Sequence, residues 1–227
     1  MFRRLTPLLL LAVVGLAACG GDDDGDSDKP QATAKAEQPA GGCQAAEQPN
    51  PKPDGGAKRP TAALDPSATY DVVLKTSCGD ITIRLDQKTS PKTAASFAGL
   101  AKAVFFNGTV FHRIVPGFVI QGGDPTGTGT GGPGYSTRDV PPRDATYTKG
   151  VVAMAKTQTE PPGTAGSQFY IVTAADAGLR PEYAVLGKVV KGQDAVDAIG
   201  ELGDPASGEA GTPLQPVVIE RATVRQS

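Results

Sequence analysis

The chain has 227 residues, a formal net charge of −2, 29 glycines, 20 prolines and a single histidine, His112. That glycine and proline density argues against a long helical bundle, and one histidine excludes multi-histidine zinc sites and leaves any serine or cysteine nucleophile one ring to use. Near-neutral charge without a Lys/Arg stripe offers no field for nucleic acid, and 5% aromatic content with no tryptophan predicts a core of Val, Ile, Leu and Ala.

Arg3 and Arg4 precede an apolar run over residues 8–14, followed by Leu16-Ala17-Ala18-Cys19. The run is too short to span a bilayer and ends on small residues, so residues 1–18 read as a signal peptide. Leu16 to Cys19 resembles the bacterial lipobox, which makes Cys19 the expected lipidation site and first mature residue; ordinary secretory cleavage near Ala18 is the alternative. Residues 19–66 are rich in Asp, Gly, Pro, Ala, Gln and Lys and poor in bulky apolar side chains, so a flexible, lipid-anchored tether is expected there. Two further cysteines, Cys43 in the tether and Cys78 before Gly79-Asp80, are most simply a disulfide outside the cytoplasm, although spacing does not reveal pairing.

From Tyr70 the pattern changes. Segments 70–74 and 81–85 are strand-like around turn residues and predict a hairpin. Ser90-Pro91 opens a helix whose apolar face is Ala94, Phe97, Ala98 and Ala101. Further strands are expected over 109–115, 118–122, 151–155, 168–172, 184–190 and 217–224, and a short helix after Gly192 with Ala195, Val196 and Ile199 on one face. Eight short strands, two helices and abundant turns predict a mainly β fold, a closed or nearly closed eight-stranded antiparallel barrel capped by two helices, in one domain over 67–227.

Gly127 to Gly132 satisfies G-x-G-x-x-G, but Pro133-Gly134 follows at once and no helix can start where a dinucleotide fingerprint needs one. A glycine-rich surface loop is the better reading. The stretch from Phe111 to Asp124 reads as two strands around Pro116-Gly117. Period-2 alternation places Phe111, Arg113 and Val115 on one face, with Phe118, Ile120 and Gly122 on one face of the next strand, and Gln121 close by. Spacing alone also fits an ordinary hairpin whose arginine makes a surface ion pair.

Phe111-His112-Arg113-Ile114-Val115-Pro116-Gly117-Phe118-Val119-Ile120-Gln121-Gly122-Gly123-Asp124 resembles the signature of the cyclophilin-type peptidyl-prolyl cis-trans isomerases. The likeness extends to Ser90-Pro91-Lys92-Thr93-Ala94-Ala95-Ser96-Phe97, Met154-Ala155, Gly166-Ser167-Gln168-Phe169-Tyr170-Ile171-Val172-Thr173 and Ala184-Val185-Leu186-Gly187-Lys188-Val189. It covers about residues 68–225, and the compact loop from Phe105 to Gly108 is similar to the bacterial branch. The resemblance implies the eight-stranded barrel, an isomerase without cofactor or metal, and proline-containing segments of exported proteins as partners. By matching positions it implies that Arg113 hydrogen-bonds the prolyl nitrogen, that Phe118, Val119, Tyr170 and Leu179 hold the proline ring, and that Gln121 holds a neighbouring carbonyl. Gly129, Ala155, Lys156, Thr157 and Gln168 match the groove for flanking backbone, with Tyr183 on the pocket rim. His112, beside the arginine on the opposite face, is expected to be structural.

The chain departs from the family pattern at Gly178, where a rim tryptophan is frequent, at Tyr183 and Tyr170, which replace a histidine and a phenylalanine, and at Lys156, which replaces an asparagine. Loss of the rim indole bears on strong cyclosporin binding more than on turnover. Together these readings describe an exported monomer, lipid-anchored to the outer face of the bacterial cytoplasmic membrane, that isomerises X-Pro bonds. A proline-peptide-binding module or holdase without significant catalysis is the alternative.

Overall fold

The computed structural model describes residues 42–227; the expected signal peptide and Cys19 lie outside the described residues. β1 (Tyr70–Thr76) and β2 (Gly79–Leu85) form the expected hairpin, with Val72 opposite Ile83 and Leu74 opposite Ile81, all four buried. α1 (Pro91–Lys102) begins with proline in its first turn and buries Ala94, Phe97, Ala98, Leu100 and Ala101, packing on β1 and on the last strand. There follow β3 (Thr109–Val110), β4 (Arg113–Val115), β5 (Val119–Gly122), β6 (Thr137–Arg138), β7 (Val151–Met154), β8 (Thr164–Ala165), β9 (Phe169–Val172), β10 (Val185–Lys191), α2 (Gln193–Gly200), a 3-10 segment (Pro205–Ala210) and β11 (Val218–Gln226). β6 and β8 pair only with each other.

The remaining nine strands make one antiparallel sheet in the order β3-β11-β1-β2-β10-β7-β9-β5-β4. This differs from the expected closed ladder of eight. The single strand expected over 109–115 is interrupted at Phe111 and His112: its first part pairs with β11 and its second with β5. Only Phe111 and His112 stand between the two edges of the sheet, and the three steps from Val110 to Arg113 span at most about 10 Å, so the sheet curls until its edges come close. Chain continuity, rather than a strand ladder, joins them.

Val, Ile, Leu and Ala fill the enclosed core as expected, but phenylalanines stand at its centre. Phe97 lies edge-on to Phe169 at 5.3 Å and Phe111 edge-on to Phe169 at 6.0 Å. The break before β4 also corrects the expected faces. Phe111 turns into the core with Ile114 and Ile120, whereas Arg113, Val115, Val119 and Gln121 share the opposite face through the pairs Arg113–Gln121 and Val115–Val119.

Residues 42–66 correct the expectation of a free tether. This strap lies against the domain: Gln44 N donates to Ser77 O at 2.8 Å, Lys52 N to Pro125 O at 2.8 Å, Gly55 N to Gly132 O at 2.9 Å and Ala57 N to Pro133 O at 3.1 Å. The Lys52 ammonium reaches the carbonyls of Phe105 and, at 3.2 Å, Asn107, just past α1. Cys43 is bonded to Cys78, fixing the start of the strap to the first hairpin. With no apolar period of its own, the strap is held by backbone hydrogen bonds, by side-chain contacts from Lys52, Asp54 and Arg59, and by one crosslink.

Candidate active site

Three adjoining strands and the loops beyond them build the site. Arg113 stands on β4 at the sheet's edge. Its Nε donates to Glu209 O at 2.9 Å, in the 3-10 segment, and its Nη1 contacts Gln121 Oε1 at 3.4 Å. Gln121 Nε2 donates to Gln168 Oε1 at 3.0 Å, and Gln168 Nε2 donates in turn to Gly129 O at 3.0 Å and Gly131 O at 2.9 Å. One chain of hydrogen bonds thus links the guanidinium to the glycine-rich loop, with the outer face of the guanidinium turned to a cavity.

That cavity, about 250 Å³, is walled by Phe118, Val119, Tyr170 and Leu179, with Arg113, Gln121, Ala155, Lys156 and Tyr183 around it. Phe118 ends the turn after β4, its N–H donating to Val115 O at 3.0 Å while its carbonyl accepts from Thr173 N at 2.9 Å. Consecutive residues Phe118 and Val119 can therefore both face the pocket, which strict strand alternation forbids. Behind the pocket, Tyr147, Tyr170 and Tyr183 pack ring to ring at 5.6–6.4 Å. The Tyr147 hydroxyl donates to Tyr183 O at 2.7 Å and accepts from Tyr183 N at 3.0 Å, fixing the rim residue. Burial raises the Tyr147 pKa to about 12 against that bond's pull, and burial beside Tyr147 and Tyr183 pushes the Tyr170 hydroxyl far up. Both rings present neutral surfaces at any physiological pH.

A second cavity of about 400 Å³ continues from the first, sharing Gln121, Ala155 and Lys156 and adding Gly129, Thr157 and Gln168. All twelve peptide-site positions expected from the sequence thus line one continuous groove. The Lys156 side chain, only 2% exposed, bends beneath the 157–160 loop, where Nζ donates to Thr157 O and Glu160 O, each at 3.1 Å, and lies 5.5 Å from the Tyr183 ring centroid. It thereby leaves the groove open where the family pattern has an asparagine. Gly178, at φ 63° with nothing near its missing Cβ, leaves the rim equally open.

Sequence reasoning missed several supporting groups. Gln158 lines the smaller cavity, Tyr147 packs on its Tyr170 and Tyr183 walls, and the Glu209 carbonyl orients Arg113 from nearly a hundred residues away. Asp124, fully buried, organises the glycine-rich loop: it accepts from Thr126 N at 2.7 Å, Thr126 Oγ1 at 2.8 Å, Gly129 N and, at 3.2 Å, Gly131 N. Burial pushes its pKa up, but these bonds outweigh burial and hold it below the usual carboxylate range. A Cβ on Gly131 would collide with the Asp124 carboxylate, so the loop needs glycine there. Asp124 closes the 111–124 stretch that carries the family resemblance, and that position was the available signal for it. His112 lines neither cavity; its ring lies against Gly129, and burial pulls its pKa down against the attraction of Asp124.

The family model described as "Cyclophilin type peptidyl-prolyl cis-trans isomerase/CLD" matches residues 71–224. The chain is 38% identical over 177 residues to peptidyl-prolyl cis-trans isomerase A of Mycobacterium tuberculosis, covering 70% of this chain and 94% of that one. It is 39% identical over 169 residues to peptidyl-prolyl cis-trans isomerase B of Streptomyces anulatus, covering 66% and 94%. Among solved structures, a cyclophilin-type isomerase of Cryptosporidium parvum in the presence of the dipeptide Ala-Pro matches with TM-score 0.61 and 30% identity, over 68% of this chain and 98% of that one.

Proposed function

This chain belongs to the cyclophilin-type peptidyl-prolyl cis-trans isomerases, and from that membership we propose that Arg113 catalyses X-Pro rotation above the pocket formed by Phe118, Val119, Tyr170 and Leu179. The observation that carries this reading is the guanidinium held at the pocket rim by Glu209 O and Gln121 Oε1, over apolar walls sized for a proline ring.

Rotation is slow because amide resonance gives the C–N bond double-bond character, with a barrier of about 18–20 kcal/mol. In the twisted state the prolyl nitrogen recovers its lone pair and becomes an acceptor; in either planar isomer it is not one. A fixed donor above the pocket therefore stabilises the twisted state selectively. Arginine suits the task because it stays charged and donates from a rigid fork, so one N–H can be anchored on the protein while others face the substrate. Gln121 positions a neighbouring substrate carbonyl, and the groove along Gly129, Ala155, Lys156, Thr157 and Gln168 holds the flanking backbone. No bond breaks, so no nucleophile or general base is needed.

The substrates in this reading are proline-containing segments of exported proteins. The apolar run of residues 8–14 ending in Leu16-Ala17-Ala18-Cys19 supports export and lipid attachment through Cys19, with the domain on the outer face of the cytoplasmic membrane. The Cys43–Cys78 bond accords with an oxidising compartment. Incorporation of labelled palmitate into the wild type, absent from Cys19→Ala, checks the anchor.

Exchange NMR on a short Ala-Pro peptide tests the mechanism. Arg113→Ala should lose about 10²–10³ of the catalysed exchange, the scale of removing one preorganised donor from a transition state, while peptide binding and the fold persist. Undiminished exchange in that variant would refute the role given to Arg113. Wild-type protein that binds the peptide without speeding exchange would favour a holdase.

A further inference from the structure

We infer that the cleft between the strap, the start of α1 and the segments around Arg138 and Glu160 is a distal peptide subsite, taking an acidic stretch of the same polypeptide whose proline lies beneath Arg113. The inference rests on the isomerase reading above. The cleft measures about 770 Å³, roomier than the proline pocket, and adjoins the groove that leads from it. It shares Ser136 and Glu160 with the groove along the glycine-rich loop, which shares Gln121, Ala155 and Lys156 with the pocket. An extended chain can occupy all three.

Charge selects the occupant. Arg59, Lys92 and Arg138 all line the cleft and all are exposed. Each arginine uses one N–H on the protein, Arg59 Nη2 donating to Ser136 O at 2.7 Å and Arg138 Nε to Pro162 O at 3.1 Å. A guanidinium carries five such donors, so most remain for a ligand. Three cations thus face one lining carboxylate, Glu160, whose Oε2 already accepts from Thr157 N at 2.7 Å and Thr157 Oγ1 at 3.0 Å, while the buried Asp139 accepts from Thr93 N at 2.7 Å in the first turn of α1. Pro60, Ala62 and Ala95 add apolar surface to the lining.

One wall exists because the strap is docked. Arg59 lies over the Tyr135 ring, 5.2 Å from its centroid, and Pro60 packs so closely on α1 that a Cβ at Gly99 would collide with it. The family match begins at residue 71, so Arg59 and the wall it stands on are additions to the matched domain.

The test compares kcat/KM for a short Ala-Pro peptide with that for longer peptides carrying two glutamates at successive positions on either side of the proline, and for matched glutamine peptides. Wild type, Arg59→Gln, Arg138→Gln and the double variant are assayed as the disulfide-bonded mature chain. The wild type should favour the glutamate peptide about threefold to tenfold at one placement, as two or three exposed ion pairs allow. The preference should shrink with salt and vanish in the double variant, with the short peptide unaffected. Equal rates for glutamate and glutamine peptides at every placement, or an undiminished preference in the double variant, would overturn the subsite alone. Failure of the wild type to speed the short peptide would overturn the isomerase reading, and the subsite with it.

Discussion

The strap and the β1–β2 hairpin are joined by one disulfide yet ordered by opposite means. The hairpin buries Val72, Leu74, Ile81 and Ile83 in alternation and announces itself by that period. The strap has five prolines from Gly42 through Pro66 and no apolar period, yet its backbone is bonded to Ser77, Pro125, Gly132 and Pro133. Periodicity detects segments that order themselves by burial; it is blind to a segment that docks on a surface already formed. Prolines help such a segment, because they lower the conformational entropy that docking must overcome. The contrast carries over to function: the sheet supplies the chemistry, and the strap supplies the reach of the groove.

The sharpest way to break this division is to release the strap. Replacing both Cys43 and Cys78 with serine removes a crosslink spanning 35 residues, which the chain-entropy model values at up to about 4 kcal/mol. Denaturant unfolding should show a loss approaching that size, and the amide protons of Gln44, Lys52, Gly55 and Ala57 should exchange first. Catalysis on the short Ala-Pro peptide should stay within about twofold, because the strap lies outside the proline pocket. A collapse of short-peptide turnover in a folded double variant would make the strap part of the catalytic wall.

Asp124→Asn sharpens the comparison from the sheet side. The carboxylate accepts four hydrogen bonds, and an amide oxygen cannot accept them all, so at least one loop N–H is left unpaired at a cost of about 1–3 kcal/mol. The Michaelis constant should rise for peptides long enough to touch the loop and change little for the dipeptide unit. Because the folded pKa of Asp124 is depressed, its contribution is present above the unfolded value near about 4 and is lost as pH falls below it. Thermal midpoints of the wild type should therefore drop more steeply below that pH than those of the asparagine variant.

The smallest effect belongs to His112. Burial lowers its pKa in the folded state, so below about pH 6.5 the unfolded chain takes up a proton that the folded chain resists. Stability should fall as pH drops through that window, by under about 1.4 kcal/mol per unit of pH. With no other histidine in the chain, His112→Gln should flatten the wild-type slope between pH 5 and 7. An identical slope in the variant would remove His112 as its source.

Most of the strands and both helices were legible, because the core of this domain is built by alternation and by one helical face. What the pattern could not convey was where the chain twists. The break at Phe111 and His112 divides one expected strand, sends Phe111 to the core and Arg113 to the groove, and leaves the sheet curled with nine strands. The groove residues were legible through a likeness of ordered motifs, not from spacing, which allowed a plain surface hairpin. Glu209, Gln158 and Tyr147 were not legible, since a backbone carbonyl and two residues on distant loops carry no local signature.

Arg113→Lys provides the most direct test of the central claim, since it keeps the charge and removes the fork that is anchored on Glu209 O and reaches Gln121 Oε1. Exchange NMR on the Ala-Pro peptide, at peptide concentrations that saturate both proteins, reads rotation separately from binding. The account predicts unchanged saturation with exchange reduced by about 10² or more. Near-wild-type exchange in the lysine variant would contradict it, because positive charge alone, without a positioned donor, would then suffice.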